Sequence, residues 1–272
     1  MNLGMIAKWN EDSFIKARSM GLDFLEFCVN KADDADAFLA QVDTIRRWSA
    51  KHGVSVGSVG RWKAETLRPD GMPDEEELRI AYALIEAAAR LGSPVYVCGC
   101  NHVEGLSYYE NCTAAIRQLE LLLAHGRKHG VTIATYNCRK GTFIHDDTAW
   151  RLIHGHLKDL AIKYDPSHSI YAGADYLKET GDWGSRFAHV HLKGSLMLDG
   201  KRVDDPPAGM DQTNWPQFLS ILRARGYDGG LSIEPHSDTW KGDRLDEGIA
   251  FTIRYMDKLI PSRTAERKTG VA

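Results

Sequence analysis

Eight short apolar runs recur along the chain, each followed by a longer stretch with apolar residues at helical spacing. They lie near Leu3–Ile6, Asp23–Cys28, Val54–Val59, Val95–Gly99, Val131–Tyr136, Ala161–Asp165, Phe187–Leu192 and Gly230–Glu234. Strict alternation of this kind predicts βα units around a parallel sheet. The clearest helical stretches are 75–91 and 108–129. Gly21, Gly53, Gly92, Gly130 and Gly226 each stand where a helix ending in a left-handed cap would hand over to a strand. Lys51-His52, Arg90 and Lys128-His129 put positive charge near helix C-termini, where the macrodipole favours it. Eight such units predict a single α/β domain closed as a (β/α)8 barrel over residues 1–261, with 262–272 as a loosely held tail. An open doubly wound sheet is the alternative, weakened because no glycine-rich phosphate fingerprint follows the first strand.

Composition narrows the function classes. The chain has 272 residues, 43% of them hydrophobic and 26% charged, which is enough apolar material for a large core. The net charge is −3 and the basic residues are scattered, so nucleic acid is not an expected partner. No segment approaches the roughly 20 apolar residues of a membrane span, and the N-terminus lacks the basic and apolar regions of a signal peptide. Five cysteines without paired spacing fit free thiols in a reducing compartment, so a cytoplasmic protein with no membrane partner is expected. The oligomeric state, homo-oligomer or monomer, is left open.

Polar residues at the C-terminal ends of barrel strands are where chemistry resides in this architecture. Three strand ends here carry groups that bind divalent cations: Asp165 ending the sixth run, His191 in the seventh and Glu234 ending the eighth. Two carboxylates and an imidazole suit Mn, Mg, Co or Zn, and sequence does not choose among them. His189, His191 and Lys193 share one strand face, which must point into the barrel mouth; His189 is read as a core or supporting histidine. Cys98, Cys100 and His102 also alternate onto one face, but are read as small buried thiols below a mouth-lining histidine rather than as a second metal site. Around the mouth, Trp9, Glu26, Trp62, His102, Tyr136, Asn137, Arg139, Asp205 and His236 are candidates for holding a polyol, since indoles stack on sugar CH faces and charged groups bind hydroxyls. The proline-braced loop 204–211 follows the seventh strand and either covers a ligand or stiffens the rim.

The segments Lys163-Tyr164-Asp165-Pro166-Ser167-His168, His189-Val190-His191-Leu192-Lys193-Gly194 and Gly226-Tyr227-Asp228-Gly229-Gly230-Leu231-Ser232-Ile233-Glu234-Pro235 together resemble the xylose-isomerase-like barrels of sugar (phosphate) isomerases and epimerases. The resemblance covers nearly the whole chain. It implies that Asp165, His191 and Glu234 are metal ligands, that His168 and Lys193 face substrate oxygens, and that Glu26 supports the site. It also implies a fourth ligand, a glutamate ending the fifth strand. This chain has Ala134-Thr135-Tyr136-Asn137 there, with no carboxylate.

The vacancy bears on mechanism. Family epimerases use two facing glutamates, one to remove a proton α to a carbonyl and one to return it from the other side. Here Glu234 would act with His168 or Lys193, and Tyr136, Asp205 or Glu26 are further candidates for the second role. The expectation is a divalent-metal-dependent isomerase or epimerase acting on a keto-sugar through an enediolate. The alternatives are β-elimination from a keto-glycoside at the same site and a barrel that binds sugar without turning it over. The absence of a basic cluster at a glycine-rich turn favours an unphosphorylated sugar.

Overall fold

A computed structural model of the chain describes residues 1–261; the expected tail 262–272 lies outside them. The strands are β1 (Asn2–Ile6), β2 (Phe24–Asn30), β3 (Ser55–Trp62), β4 (Val95–Cys98), β5 (Thr132–Tyr136), β6 (Ala161–Tyr164), β7 (Phe187–Leu192), β8 (Leu196–Leu198), β9 (Lys201–Asp204) and β10 (Gly230–Ile233). The first seven and β10 close a barrel in the order β1-β10-β7-β6-β5-β4-β3-β2. Neighbouring barrel strands are parallel throughout. The helices are α1 (Glu11–Ser19), α2 (Ala35–Ala40), α3 (Val42–His52), α4 (Glu75–Leu91), α5 (Tyr108–His129), α6 (Asp147–His156), α7 (Pro166–Tyr171), α8 (Tyr176–Trp183), α9 (Trp215–Ala224) and α10 (Leu245–Leu259). No helix among the described residues is long and apolar enough to cross a membrane.

The local signals explain the element boundaries. Helix α5 starts with a reciprocal capping box, Ser107 accepting from Glu110 N and Glu110 accepting from Ser107 N. It ends at Gly130, whose φ of 68° is left-handed and costs a glycine little. Outward residues of the strands, such as Ile133, Ile162, Val190 and Leu231, join the helices in the main core, with Trp150, Trp215 and Phe14 fully buried beside them. Inward residues Val95, Val97, Ala134, Tyr136 and Ala161 form a separate apolar cluster. Both strand faces are therefore buried, which is why the strands read as continuous apolar runs. Phe24 fills the N-terminal end of the barrel. Its ring leaves room only for glycine at position 57, where a Cβ would lie 2.3 Å away.

Three boundaries differ from the sequence reading. Strand β2 continues to Asn30 and β3 to Trp62, because the ladder adds the pairs Cys28↔Gly60 and Asn30↔Trp62. Glu26 is therefore mid-strand, and Arg61 and Trp62 lie on a strand rather than in the loop after it. Buried Arg61 pairs with Glu77 at 2.9 Å and so braces β3 against α4. The third difference is the β8–β9 hairpin. It was legible in the pair Asp199-Gly200, whose φ values of 49° and 73° suit a tight two-residue turn.

His154 on α6 is fully buried, its Nε2 lying 3.2 Å from the Ala161 carbonyl oxygen and 3.1 Å from Thr135 Oγ1. Burial pushes its pKa from 6.5 down to about 3. A base whose folded pKa is depressed binds fewer protons folded than unfolded across this interval. Its stabilisation is complete above about pH 6.5 and is lost as pH falls toward 3, by at most about 5 kcal/mol. The stability difference between wild type and His154→Gln should therefore shrink as pH falls through this window. Parallel denaturation-midpoint curves from pH 7 to 4 would show that His154 does not carry the effect.

Candidate metal centre and substrate cavity

The ends of β6, β7 and β10 bring three side chains to one point at the C-terminal mouth. Ligand atoms of Asp165, His191 and Glu234 all lie within 4.8 Å of one another. Asp165 is held by local chemistry: it caps α7, accepting from Ser167 N at 2.9 Å, and Pro166 takes the first helical position. Its backbone is clipped to the end of β5, since Asn137 Nδ2 donates to Asp165 O at 3.0 Å and Asn137 Oδ1 accepts from Asp165 N at 2.9 Å. His191 points inward because β7 alternates Val190 and Leu192 outward. Its Nε2 lies 3.0 Å from both oxygens of Glu26, and its Nδ1 lies 3.1 Å from Glu234 Oε2. Against its burial, Glu26 and Glu234 raise the pKa of the ring; with Nε2–H given to Glu26, Nδ1 is the nitrogen that can give up its proton and ligate an ion.

The donor set fits a divalent cation. Asp165 Oδ2 is fully buried and receives no hydrogen bond of good geometry, although Lys193 Nζ stands 2.9 Å away. The cation this dry oxygen faces is Lys193, and the lack of an aligned hydrogen bond leaves it a lone pair with which to ligate an ion. Lys193 Nζ is also 3.3 Å from Glu234 Oε2, so the ammonium bridges the two carboxylates. Burial alone would raise the pKa of Glu234, but Lys193 and His191 outweigh it and hold the carboxyl well below the usual range. Asp165 is lowered against its burial by Lys193 and His168. Glu26 is likewise lowered against burial by His191 and His189, the latter 2.8 Å away. Burial pushes His168 down to about 4, so the ring is neutral near pH 7. Its Nε2 lies 3.4 Å from Asp165 Oδ2 and 3.5 Å from Lys193 Nζ.

Above this cluster opens a cavity of about 680 Å³. Trp62, Arg139, His168, His191, Lys193, Glu234 and His236 all line it, as the sequence reading expected. Glu234 is the one carboxylate among its lining residues. Six expected contacts lie elsewhere. Trp9 packs edge-to-face on Phe38, with ring centres 5.3 Å apart. His102 sits by Asn111 Nδ2 at 3.3 Å and against the edge of Phe143. Glu26 lies beneath the cavity, bound to the two histidines, and Asn137 is consumed in the β5–β6 clip. Tyr136 stacks beneath Trp62 at 4.3 Å, donating to Gly141 O and accepting from Lys63 N. Asp205 is buried and latches the hairpin, binding Arg202, Tyr171 and His236. Cys98 and Cys100 are buried and join no metal-ligand grouping among the described residues.

Residues 14–256 match the family model described as xylose isomerase-like TIM barrel. The chain belongs to this family. A curated relative, the uncharacterized protein YfiH of Bacillus subtilis, is 28% identical over 122 residues. That match covers 38% of this chain and 39% of YfiH, so the chain aligns with about two fifths of the relative's length. Among solved structures, the 3-keto-D-glucoside 4-epimerase YcjR of E. coli shares the fold with a TM-score of 0.71 at 16% identity, covering 94% of this chain and 99% of that one. The probable 3-DHS dehydratase AsbF of Bacillus anthracis has a TM-score of 0.74 at 13% identity, over 94% and 98% of the two chains. At these identities the likeness concerns the fold.

Measured against this xylose isomerase-like barrel, the departure at β5 is structural as well as sequential. Ala134 is buried in the inner apolar cluster, and Tyr136 is locked under Trp62. The inward residue paired with Tyr136 on β6 is Lys163, 1% exposed, whose Nζ lies 4.9 Å from the Trp62 ring centre. The sequence reading passed over Lys163, as it did Tyr171 and the hairpin residue Arg202, which also line the cavity. Strand alternation contained the signal for the lysine, because Lys163 and Asp165 are two apart and share a face.

Proposed function

We propose that this protein is a divalent-metal-dependent enzyme that moves a proton next to the carbonyl of a sugar. The observation that carries the reading is the convergence of Asp165, His191 and Glu234 at the floor of a cavity large enough for a sugar. A divalent ion held by these three residues would polarise a carbonyl and its neighbouring oxygen, making the C–H between them more acidic. Glu234 is ionised and reaches the cavity, with its side chain 23% exposed, so it is the group placed to accept that proton. Lys193 keeps the Glu234 carboxylate oriented and offers an ammonium to a substrate oxygen. Neutral His168 stands on the other side of Lys193 as a second site for a proton. The floor is kept in register from below by Glu26 and His189.

A one-base reaction, β-elimination or isomerisation, is favoured over a two-base epimerisation. The ground is the β5–β6 wall, which presents Tyr136 and Lys163 where a facing glutamate would have to stand. The test is solvent deuterium uptake by D-fructose, D-psicose and a 3-keto-glucoside, with purified protein before and after metal loading. Metal-dependent exchange, or release of an aglycone from the glycoside, is expected. A metal-binding protein that exchanges none of them would leave only a sugar-binding barrel.

A further inference from the structure

Lys163 has no place in the chemistry above. It lines the cavity and is 1% exposed, and its Nζ has no ion pair within 4.0 Å and no hydrogen bond among the described residues. The carboxylates of Asp165 and Glu234 feel its charge from beyond 4.0 Å, whereas Lys193 touches both, at 2.9 and 3.3 Å. Its one close partner is the face of Trp62. An aromatic face offsets only part of the cost of burying an ammonium, and buried charges are otherwise paired. The rest of the cavity has the same bias. Its lining includes Lys63, Arg139, Lys140, Lys163, Lys193 and Arg202 against the single carboxylate Glu234, in a chain whose net charge is −3. Arg202 pairs with Asp205, and Lys193 pairs with Asp165 and Glu234, leaving Lys163 as the buried lining cation with no carboxylate within 4.0 Å among the described residues.

We propose that the cavity selects a sugar bearing an oxyanion, and that Lys163, backed by Trp62, is the subsite that receives it. The subsite rests on the sugar-site reading of the cavity. It replaces the expectation of a neutral sugar. The shared chemistry is a carboxylate or phosphate on the ligand, taken by a point-charge donor in a dry wall. Exposed Lys63, Arg139 and Lys140 would attract the anion to the mouth but are screened by salt, whereas a contact at Lys163 is screened far less.

The experiment measures binding of D-glucose, D-glucuronate and D-glucose 6-phosphate to the metal-loaded protein at matched ionic strength, by calorimetry and by thermal shift. At least one anionic sugar should bind 10-fold or more tightly than glucose. Lys163→Met should erase that preference, and Lys163→Arg should keep part of it. Removing an unpaired buried charge should leave the melting temperature of Lys163→Met at or above that of wild type, and Lys163→Gln provides a second variant should the first misfold. A larger preference for glucuronate identifies a carboxylate, and a larger one for the 6-phosphate identifies a phosphate. Equal responses to all three sugars in the wild type, including none, overturn the proposal; so does a preference that survives Lys163→Met. The deuterium assay, run also on D-glucuronate and D-glucose 6-phosphate, separates this outcome from the enzymatic reading. Anion preference without exchange removes the activity and keeps the subsite, while exchange without preference does the reverse.

Discussion

Glu234→Gln is expected to lower kcat by roughly 10²–10⁴ while leaving most bound metal in place. The amide keeps an oxygen that can ligate, but it cannot accept a proton. Glu234 is the one carboxylate lining the cavity, and Lys193 with His191 keeps it ionised despite its burial. The fold should tolerate the change, since Lys193 retains Asp165 at 2.9 Å. Turnover of whichever keto-sugar shows solvent exchange, measured beside metal content, decides the matter. Parallel loss of both would reduce Glu234 to a ligand, and unchanged turnover would place the base elsewhere, with His168 the next residue to test.

His191→Ala should have the largest combined effect on metal and stability. His191 joins the two halves of the site, facing Glu26 with one nitrogen and Glu234 with the other. Its removal deletes a ligand and leaves Glu26, buried at 1% exposure, with His189 at 2.8 Å and the weak donor Cys28 Sγ at 3.9 Å. Breaking a buried charged pair in this way costs about 3–5 kcal/mol. Metal affinity should fall by more than the roughly 10- to 100-fold typical when only a supporting group of a ligand is lost. The double variant Glu26→Gln/His191→Ala separates the two effects. It should recover part of the stability, because no orphaned carboxylate remains, and none of the metal binding. Full metal content in either variant would refute the assignment of His191 as a ligand.

Much of the site was legible before any coordinates because barrel chemistry is local to strand ends. Asp165, His191, Glu234, His168 and Lys193 each sit within four residues of a strand terminus, and alternation alone places His189, His191 and Lys193 on one face. Trp62 and Arg139 were found through the same adjacency. The residues assigned to substrate that do other work share one trait: their role depends on a partner distant in sequence. Asp205 reaches His236 and Tyr171, Tyr136 stacks under Trp62, and Trp9 leans on Phe38. Nothing in the immediate neighbourhood of such a residue says whether its side chain turns to the cavity or to a neighbour.

The sequence by itself determined the barrel. Eight apolar runs with helical stretches between them call for a parallel sheet covered on both faces, their number and the missing phosphate fingerprint favour closing it over leaving it open, and Gly130 marks a helix end without reference to the rest of the chain. It also determined which three residues stand at the strand ends with metal-binding chemistry. Only the tertiary structure decided the charge balance among them. Strands β2 and β7 pass on either side of β1 and β10, so Glu26 comes within 3.0 Å of His191 across 165 residues of sequence. Register between β5 and β6 sets Lys163 beside Tyr136, where the family resemblance led one to look for a carboxylate. Electrostatic energy depends on separation in space and on exclusion of water. Strand order and register set both, and neither is contained in the spacing of residues along the chain.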